Sequence, residues 1–256
     1  AATYTQAWNR IRQLFVATEE AKSRGLEAGH FSFNVAAKDG RGRCEACAGE
    51  GYETVEMQFL ADVSFLCPTC RGKRFKPEVL AVKHEGLDVA EVLALTVDEA
   101  LARFDTDAAP DLALRRTLGP VQRVGLGYLP LGQPLSTLSG GEAQRLKLAR
   151  ALSEPAEGTL FCIDEPSAGL HADDVVHVIA ALHALVDAGA SVVVVEHDLS
   201  VIAAADHVID MGPGGGPDGG KIVASGPPDA IVKAKTRTGV ALAKLGGSVR
   251  ERAHTQ

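Results

Sequence analysis

The sequence predicts an α/β protein in which a parallel sheet with flanking helices is joined to a smaller α+β domain. The first reason is that apolar runs at residues 160–163 and 192–195 alternate with helical patterns at 139–153 and 175–186, as they do around parallel sheets. The second is that two Cys-x-x-Cys pairs flank a run with the two-residue period of a strand. That arrangement is typical of a small hairpin pinned by a metal ion.

The composition is that of a folded globular protein. Of 256 residues, 46% are hydrophobic and 23% are charged, which excludes disorder. Apolar runs such as 192–195 are far shorter than the roughly 18 residues that cross a bilayer, and no charged-then-apolar leader opens the chain. We therefore expect no membrane partner, no export and a cytoplasmic location. Because the net charge is −7, contact with nucleic acid would require a local basic patch.

Local patterns define the elements of the N-terminal half. Apolar residues recur at intervals of three and four over residues 8–15, which predicts a helix. Thr18 is placed to cap a second short helix, and Thr96 with Glu99 forms a capping box ahead of a third. Between the cysteine pairs, apolar and polar residues alternate over 54–59, so we expect a half-buried strand there. No internal repeat is evident.

Four of the five cysteines have the spacing of a metal site. They are Cys44, Cys47, Cys67 and Cys70, with nineteen residues between the two pairs. This spacing is typical of four-thiolate zinc, and four protein ligands leave no open position, which favours structural over catalytic zinc. Glycines after each pair allow tight turns whose N–H groups face the sulfurs. The alternative, two disulfides or four unrelated thiols, is disfavoured in a chain without a leader.

A basic cluster accompanies the cysteines and gives residues 1–76 a net charge of +2, against −9 for residues 77–256. Its members are Arg41, Arg43, Arg71, Lys73, Arg74 and Lys76. Such a cluster can contact DNA phosphates, but a solvated charged face is an equal alternative from the sequence alone.

The octet at residues 138–145 indicates a phosphate-binding helix terminus. Ser139 and Glu142 form a capping box, and Gly140 and Gly141 leave the first-turn N–H groups open to an anion; Gln144 lies one turn further. The capping box alone would also fit an ordinary helix.

The two apolar strands each deliver charged or titratable residues. Asp164 ends the first and is placed to hold Mg²⁺, while Glu165 is placed to orient or deprotonate an attacking water. The second strand leads to His197, on the sheet edge where α/β proteins bind ligands, within reach of a γ-phosphate. Apolar strands ending in acids, and single histidines in loops, are common, so each feature alone is weak.

Taken in order, these motifs resemble the signature, Walker B and switch-histidine motifs of ABC ATPases. The four-cysteine insertion, the opening Ala2-Thr3-Tyr4-Thr5 and His171 make the chain similar to the UvrA family, in its second ATPase module, from Ala2 to about Ile231. The resemblance implies three parts. Residues 1–30 would be a helical segment from an upstream lobe, 31–135 the zinc-containing signature domain, and 136–256 the signature-helix, Walker B and switch-histidine half of an ABC-type nucleotide-binding domain.

The resemblance implies ATP-dependent recognition of DNA damage in nucleotide excision repair. ATP with Mg²⁺ would bind Asp164, with Glu165 and His197 catalytic, while the signature residues would face ATP of the opposing module. Damaged double-stranded DNA, a second copy of the protein and a helicase-like excision-repair protein would be its partners. The rival classes are an ABC module for transport, translation or drug resistance, and a non-enzymatic zinc module that binds DNA or a partner.

Two departures qualify the resemblance. The chain has no Walker A loop, since Gly215 to Lys221 ends before Ile222 rather than Ser or Thr and leads into a strand-like run. We therefore expect the chain to be the C-terminal portion of a longer protein and to be inactive alone. Ser167-Ala168 replaces the two threonines usual in UvrA, which indicates a divergent paralogue.

Overall fold

A computed structural model describes the protein at residues 2–34, 42–55, 63–106, 108–153, 157–212, 214 and 219–253. The chain divides into two compact units, Ala1–Glu154 and Pro155–Gln256. The domain boundaries near residues 30 and 135 stay a prediction. Among the described residues, no helix has both the length and the apolar character that crossing a membrane requires.

The first unit consists mainly of helices around one hairpin. Its elements are α1 (Ala7–Val16), α2 (Glu19–Ser23), β1 (Tyr52–Val55), β2 (Val63–Leu66), α3 (Pro77–Leu80), α4 (Val89–Ala94), α5 (Val97–Arg103), α6 (Ala109–Arg123), a 3-10 turn (Leu135–Thr137) and α7 (Gly140–Ala151).

The apolar face of α1 forms the centre of this unit. Trp8, Ile11 and Phe15 are buried, as the helical period predicts, and α1 packs on α6. The caps are those expected from the sequence: the Thr18 hydroxyl accepts a hydrogen bond from an N–H of α2, and Thr96 begins α5 with a complete capping box.

Strands β1 and β2 form an antiparallel hairpin in which Tyr52 pairs with Leu66. The expectation of a half-buried strand is wrong for its described part, because side chains on both faces are exposed, Phe65 at 58% and Leu66 at 72%. The hairpin is held at its base, where the Cys67 N–H donates to the Gly51 carbonyl, and not by a packed face. Residues 56–59 of the expected strand lie outside the described residues.

The second unit contains β3 (Leu160–Asp164), α8 (Ala172–Asp187), β4 (Ser191–Val195), α9 (Leu199–Ala204), β5 (Val208–Gly212), β6 (Lys221–Gly226), α10 (Pro228–Ala234) and α11 (Arg237–Ala253). Strands β3 and β4 are parallel, from Leu160 opposite Ser191 to Asp164 opposite Val195. The alternation of strands and helices therefore predicted the parallel pairing correctly. Strands β5 and β6 form an antiparallel hairpin.

The apolar composition of β3 is typical of a buried strand, but β3 is partly exposed in this chain. Alternate residues of β3 and β4 are exposed, among them Leu160 at 61% and Val193 at 55%, and Cys162 is exposed as well. Helix α8 packs on β4, and the opposite face of the described strand pair has no such cover. The Gly-rich run that starts at Gly215 leads into a strand, as expected, because Lys221 begins β6. Gly215 itself lies outside the described residues.

Candidate metal and nucleotide sites

The four paired cysteines meet in one buried cluster. Their Sγ atoms all lie within 4.8 Å of one another, with 3.9 Å between Cys44 and Cys67 and 3.6 Å between Cys47 and Cys70. A tetrahedral ion with bonds of about 2.3 Å to sulfur would set these edges at about 3.8 Å. A disulfide would require about 2.05 Å. The cluster therefore has the dimensions of a four-thiolate metal site, and its cysteines are free thiols.

Each cysteine pair is followed by the same tight turn. Positive φ angles occur at Ala48, Gly49 and Gly51 after the first pair, and at the matching positions after the second, Arg71, Gly72 and Arg74. In both turns the N–H four residues after the second cysteine donates to its sulfur; the distance from Gly51 N to Cys47 Sγ is 3.2 Å. The two turns are a short internal repeat that the sequence analysis missed.

The thiols of the cluster differ in acidity. The backbone N–H of Cys70 lowers the pKa of Cys67 to about 7, whereas burial raises the pKa of Cys70 to about 12 and also raises that of Cys47. Thiolates are the form that binds metal, so binding here must displace protons, and affinity falls as the pH falls.

Arg74 connects the second turn to the loop before α7. Its backbone has φ of +71°, a conformation that the equivalent Gly51 adopts without strain. Its guanidinium donates to the carbonyl of Gly132 over 3.1 Å and lies 5.3 Å from the ring centre of Phe33. Because Gly132 lies shortly before the 3-10 turn that leads into α7, Arg74 links the cysteine cluster to the segment that precedes α7.

The other basic residues near the cluster differ in exposure and pairing. Arg71, Lys73 and Lys76 line an open groove of about 430 Å³ beside Cys44 and Cys70. Lys76 is paired with Glu45 at 2.5 Å and Lys73 lies 3.6 Å from Asp88, while Arg71 is exposed. Arg43 pairs through its backbone with Phe75. Arg41 lies outside the described residues. A contact of this cluster with DNA stays a prediction.

Helix α7 begins with the capping box expected from the sequence. Ser139 Oγ accepts from Glu142 N at 3.3 Å, and Glu142 Oε2 accepts from Ser139 N at 2.7 Å. The Tyr128 hydroxyl donates to the other oxygen of Glu142, which lowers the pKa of that carboxyl. Ser139 and Gly140 are exposed, and the space beside Gly140 is open, so the first turn is accessible to an anion. Gly141 and Gln144 follow on the same helix, half-buried.

The ends of β3 and β4 bring the predicted acid and histidine together. Asp164 is the last paired residue of β3, and the next N–H, of Glu165, donates to the Val195 carbonyl over 2.8 Å. Glu165 has φ of +44°, a turn conformation that is uncommon for a side chain of its size. Its Oε1 lies 3.6 Å from Nδ1 of His197, and both side chains are exposed. Asp164 is exposed beside them.

A third acid at this edge, Glu196, was given no role from the sequence. Its side chain is only 3% exposed, and its oxygens accept from the N–H groups of Ser167, His197 and Asp198 at 2.8, 2.8 and 3.0 Å. Burial alone would raise the pKa of Glu196, but the Ser167 side chain and these three N–H groups together hold it below its ordinary value. They therefore stabilise the fold above the unfolded pKa, and that stability is lost as the pH falls through the lowered pKa. The one sequence signal was its position beside His197.

Fold and site together define a mixed α/β protein with a buried four-thiol cluster and a carboxylate–imidazole pair at the edge of a parallel strand pair. No family model matches the chain. UvrABC system protein A of Methanothermobacter thermautotrophicus is 51% identical over 239 residues, which are 93% of this chain and 24% of that protein. The Thermus thermophilus protein of that name is 51% identical over 95% of this chain and 25% of its own length.

A solved structure gives the same result. The crystal structure of UvrA2 from Deinococcus radiodurans superimposes with a TM-score of 0.86 at 48% identity, covering 95% of this chain and 29% of that one. Over nearly its whole length the chain is thus a relative of a segment of UvrA, which confirms the resemblance found in the sequence. It spans about a quarter of the length of the curated relatives it matches.

The role of Arg74 can be tested by replacing it with alanine and using Arg71→Ala as the control. Both arginines have positive φ, so the backbone conformation imposed on the alanine is similar in the two variants. Arg74→Ala removes the bond to Gly132 and the contact with Phe33, so we expect a loss of about 1.5–3 kcal/mol in the free energy of unfolding of the first unit. Arg71→Ala should stay within about 0.5 kcal/mol of the wild type. Equal losses in denaturant titrations would contradict the link to the segment before α7.

Proposed function

We propose that the chain is the C-terminal portion of the second ATPase module of a UvrA-type protein, which recognises damaged DNA in nucleotide excision repair. Sequence identity near 50% to UvrABC system protein A supports the assignment. The observation that carries the ATPase part is the approach of Glu165 Oε1 to within 3.6 Å of His197 Nδ1 at adjacent parallel strand ends. Both side chains are exposed, Glu165 at 53% and His197 at 74%, so a ligand can reach them.

The residues at this edge suit the steps of ATP hydrolysis. The exposed carboxylate of Asp164 suits Mg²⁺, which would neutralise charge on the phosphates. Glu165 would accept a proton from the attacking water, and His197 would contact the γ-phosphate and hold the Glu165 side chain. The first turn of α7 is open and would approach the nucleotide of the opposing ABC-type module. The residues in question are Ser139, Gly140, Gly141 and Glu142, with Gln144 one turn further along the helix.

Hydrolysis in this proposal belongs to the full-length protein. A phosphate-cradling Walker A loop would come from the part of the protein that the relatives have and this chain does not span. The proposal includes a homodimer, a helicase-like excision-repair partner and a cytoplasmic location; a reducing compartment would keep the thiols of the cluster available for metal.

The cluster of Cys44, Cys47, Cys67 and Cys70 would hold structural Zn²⁺. The sulfur–sulfur distances of 3.6 and 3.9 Å match a tetrahedral ion, and four thiolates leave no position for a substrate. Zinc would fix the base of the hairpin and, through Arg74, the approach to α7.

Damaged duplex would contact the basic groove beside this cluster. Arg71 and Lys73 have exposed side chains there, and phosphate contacts of this kind supply affinity that does not depend on base sequence. Arg74 and Lys76 are less suited to such a contact, because Arg74 binds the Gly132 carbonyl and Lys76 is paired with Glu45.

The ATPase proposal is tested by Glu165→Gln in the full-length protein, with the other module disabled. We expect ATP binding to remain and turnover to fall by about 10²–10⁴-fold, because the amide keeps the shape but cannot accept the proton. Asp164→Asn should instead weaken Mg²⁺-dependent nucleotide binding. Undiminished turnover in Glu165→Gln would refute the role of Glu165 as the base. If the full-length protein without these changes binds no nucleotide, the non-enzymatic alternative would be favoured.

The zinc proposal is tested by Cys47→Ser, with Cys162→Ser as the matched control because that thiol is exposed and outside the cluster. Wild type and control should each contain one zinc by elemental analysis and release it on acidification. Cys47→Ser should lose zinc and unfold the hairpin, since structural zinc contributes on the order of 10 kcal/mol in isolated fingers. Retention of one equivalent of zinc in Cys47→Ser would contradict the ligand set.

The DNA proposal is tested by the double change Arg71→Glu and Lys73→Glu in the full-length protein. Each lost phosphate contact should reduce the slope of log K against log salt by about 0.9, so we expect flatter salt dependence and weaker binding to duplex. The charge-matched control is the double change Arg10→Glu and Lys22→Glu. These two basic side chains are exposed and do not line the groove. Equal effects from both pairs would indicate a general charge effect and not a footprint.

A further inference from the structure

Glu196 is a buried carboxylate whose hydrogen bonds join two loops. One oxygen accepts from Ser167 N, in the turn after β3, and the other accepts from His197 N and Asp198 N, after β4. The Ser167 side chain is buried as well, so this junction lies below the exposed edge that carries Glu165 and His197. Burying an ionised carboxylate is costly unless donors surround it, and here backbone N–H groups supply them.

The same bonds bear on the two exposed residues of the proposed ATPase site. The His197 N–H donates to the Glu196 carboxylate, which fixes the backbone of His197. Glu165 lies two residues before Ser167, in a turn that is closed by a hydrogen bond from the Ala168 N–H to the Glu165 carbonyl. Beyond the strand pairing at Glu165 N, the Glu196 carboxylate is thus a second connection between the two loops. Without it, the turn after β3 could shift relative to His197.

Glu196 is poorly suited to be the base itself. Its side chain is 3% exposed against 53% for Glu165, and both of its oxygens already accept hydrogen bonds, which lower the pKa of Glu196 and make it a weaker proton acceptor. A group held in this way orients its neighbours but does not reach a substrate.

We propose that Glu196 is a positioning residue for ATP hydrolysis, which sets the distance between Glu165 and His197 by holding both loops through three backbone hydrogen bonds. This inference rests on the proposed ATPase function.

The test uses the full-length protein with the other module disabled, and compares Glu196→Gln, Glu165→Gln and the double variant. Glu196→Gln keeps the size but turns an amide NH₂ toward a backbone N–H, so at least one bond is lost. We expect kcat to fall by roughly ten- to a hundredfold with KM for ATP nearly unchanged, the effect of misplacing a reacting group by about 1 Å. Glu157→Gln, an exposed acid of the same unit, is the matched control and should match wild type.

Non-additivity separates positioning from a general loss of stability. If Glu196 acts through Glu165, adding Glu196→Gln to Glu165→Gln should lower the residual turnover no further, whereas a destabilised fold would lower it by the same factor again. Amide hydrogen exchange should show faster exchange at Ser167, His197 and Asp198 in Glu196→Gln, with the amides of β4 unchanged. If Glu196→Gln does not fold, Glu196→Asp, which keeps the charge but shortens the reach, takes its place.

Two results would overturn the inference: an unchanged kcat in Glu196→Gln while Glu165→Gln is inactive, or equal factors in both backgrounds. Failure of the ATPase proposal looks different, because turnover would then be insensitive to Glu165→Gln from the start. In that case the exchange of the three amides still decides whether Glu196 joins the loops.

Discussion

Both candidate sites depend on one constraint: at the end of a helix, strand or turn, some backbone N–H groups have no carbonyl to bind. Such groups must find another acceptor when they are buried. In the cysteine turns the acceptors are sulfur atoms, as for Gly51 on Cys47. After β4 the acceptor is the carboxylate of Glu196. At the start of α7, Ser139 and Glu142 satisfy part of the need, and the remaining first-turn groups are open to an anion.

These three solutions differ in what the acceptor does for function. An N–H donated to sulfur favours the thiolate, the form that binds metal; this lowers the pKa of Cys67, whereas burial outweighs the same kind of bond at Cys47 and Cys70. A carboxylate that receives three N–H groups is held in place and shielded from a ligand, whereas its neighbour Glu165 is exposed. A helix terminus with open donors can bind a charged ligand. Unpaired backbone N–H groups can thus be satisfied in three ways: by sulfur atoms that can bind metal, by a carboxylate that joins two loops, and by an anion at a helix terminus.

The sequence was sufficient wherever a motif acts through neighbours along the chain. The capping boxes at Thr96 and Ser139 and the cysteine spacing are local patterns, and each appears in the structure as expected. The partner of Arg74 could not be predicted, because Gly132 is 58 residues away and its carbonyl carries no sequence signal. Glu196 shows the same limit, since its bond to Ser167 spans 29 residues. The exposure of β3 was missed because an apolar run shows that a strand can be buried, but not which of its faces is covered.

The matched turns after the two cysteine pairs bear on how the cysteine cluster assembles. Each turn is closed by its own short-range bond, Glu50 N to the Cys47 carbonyl and Lys73 N to the Cys70 carbonyl, so bringing the two turns together is a single loop closure. The entropy of that closure grows only with the logarithm of loop length, about 0.6 kcal/mol for each doubling. The nineteen residues between Cys47 and Cys67 can therefore be lengthened at little thermodynamic cost, leaving the reach of the exposed hairpin open to variation while the ion-binding geometry is preserved.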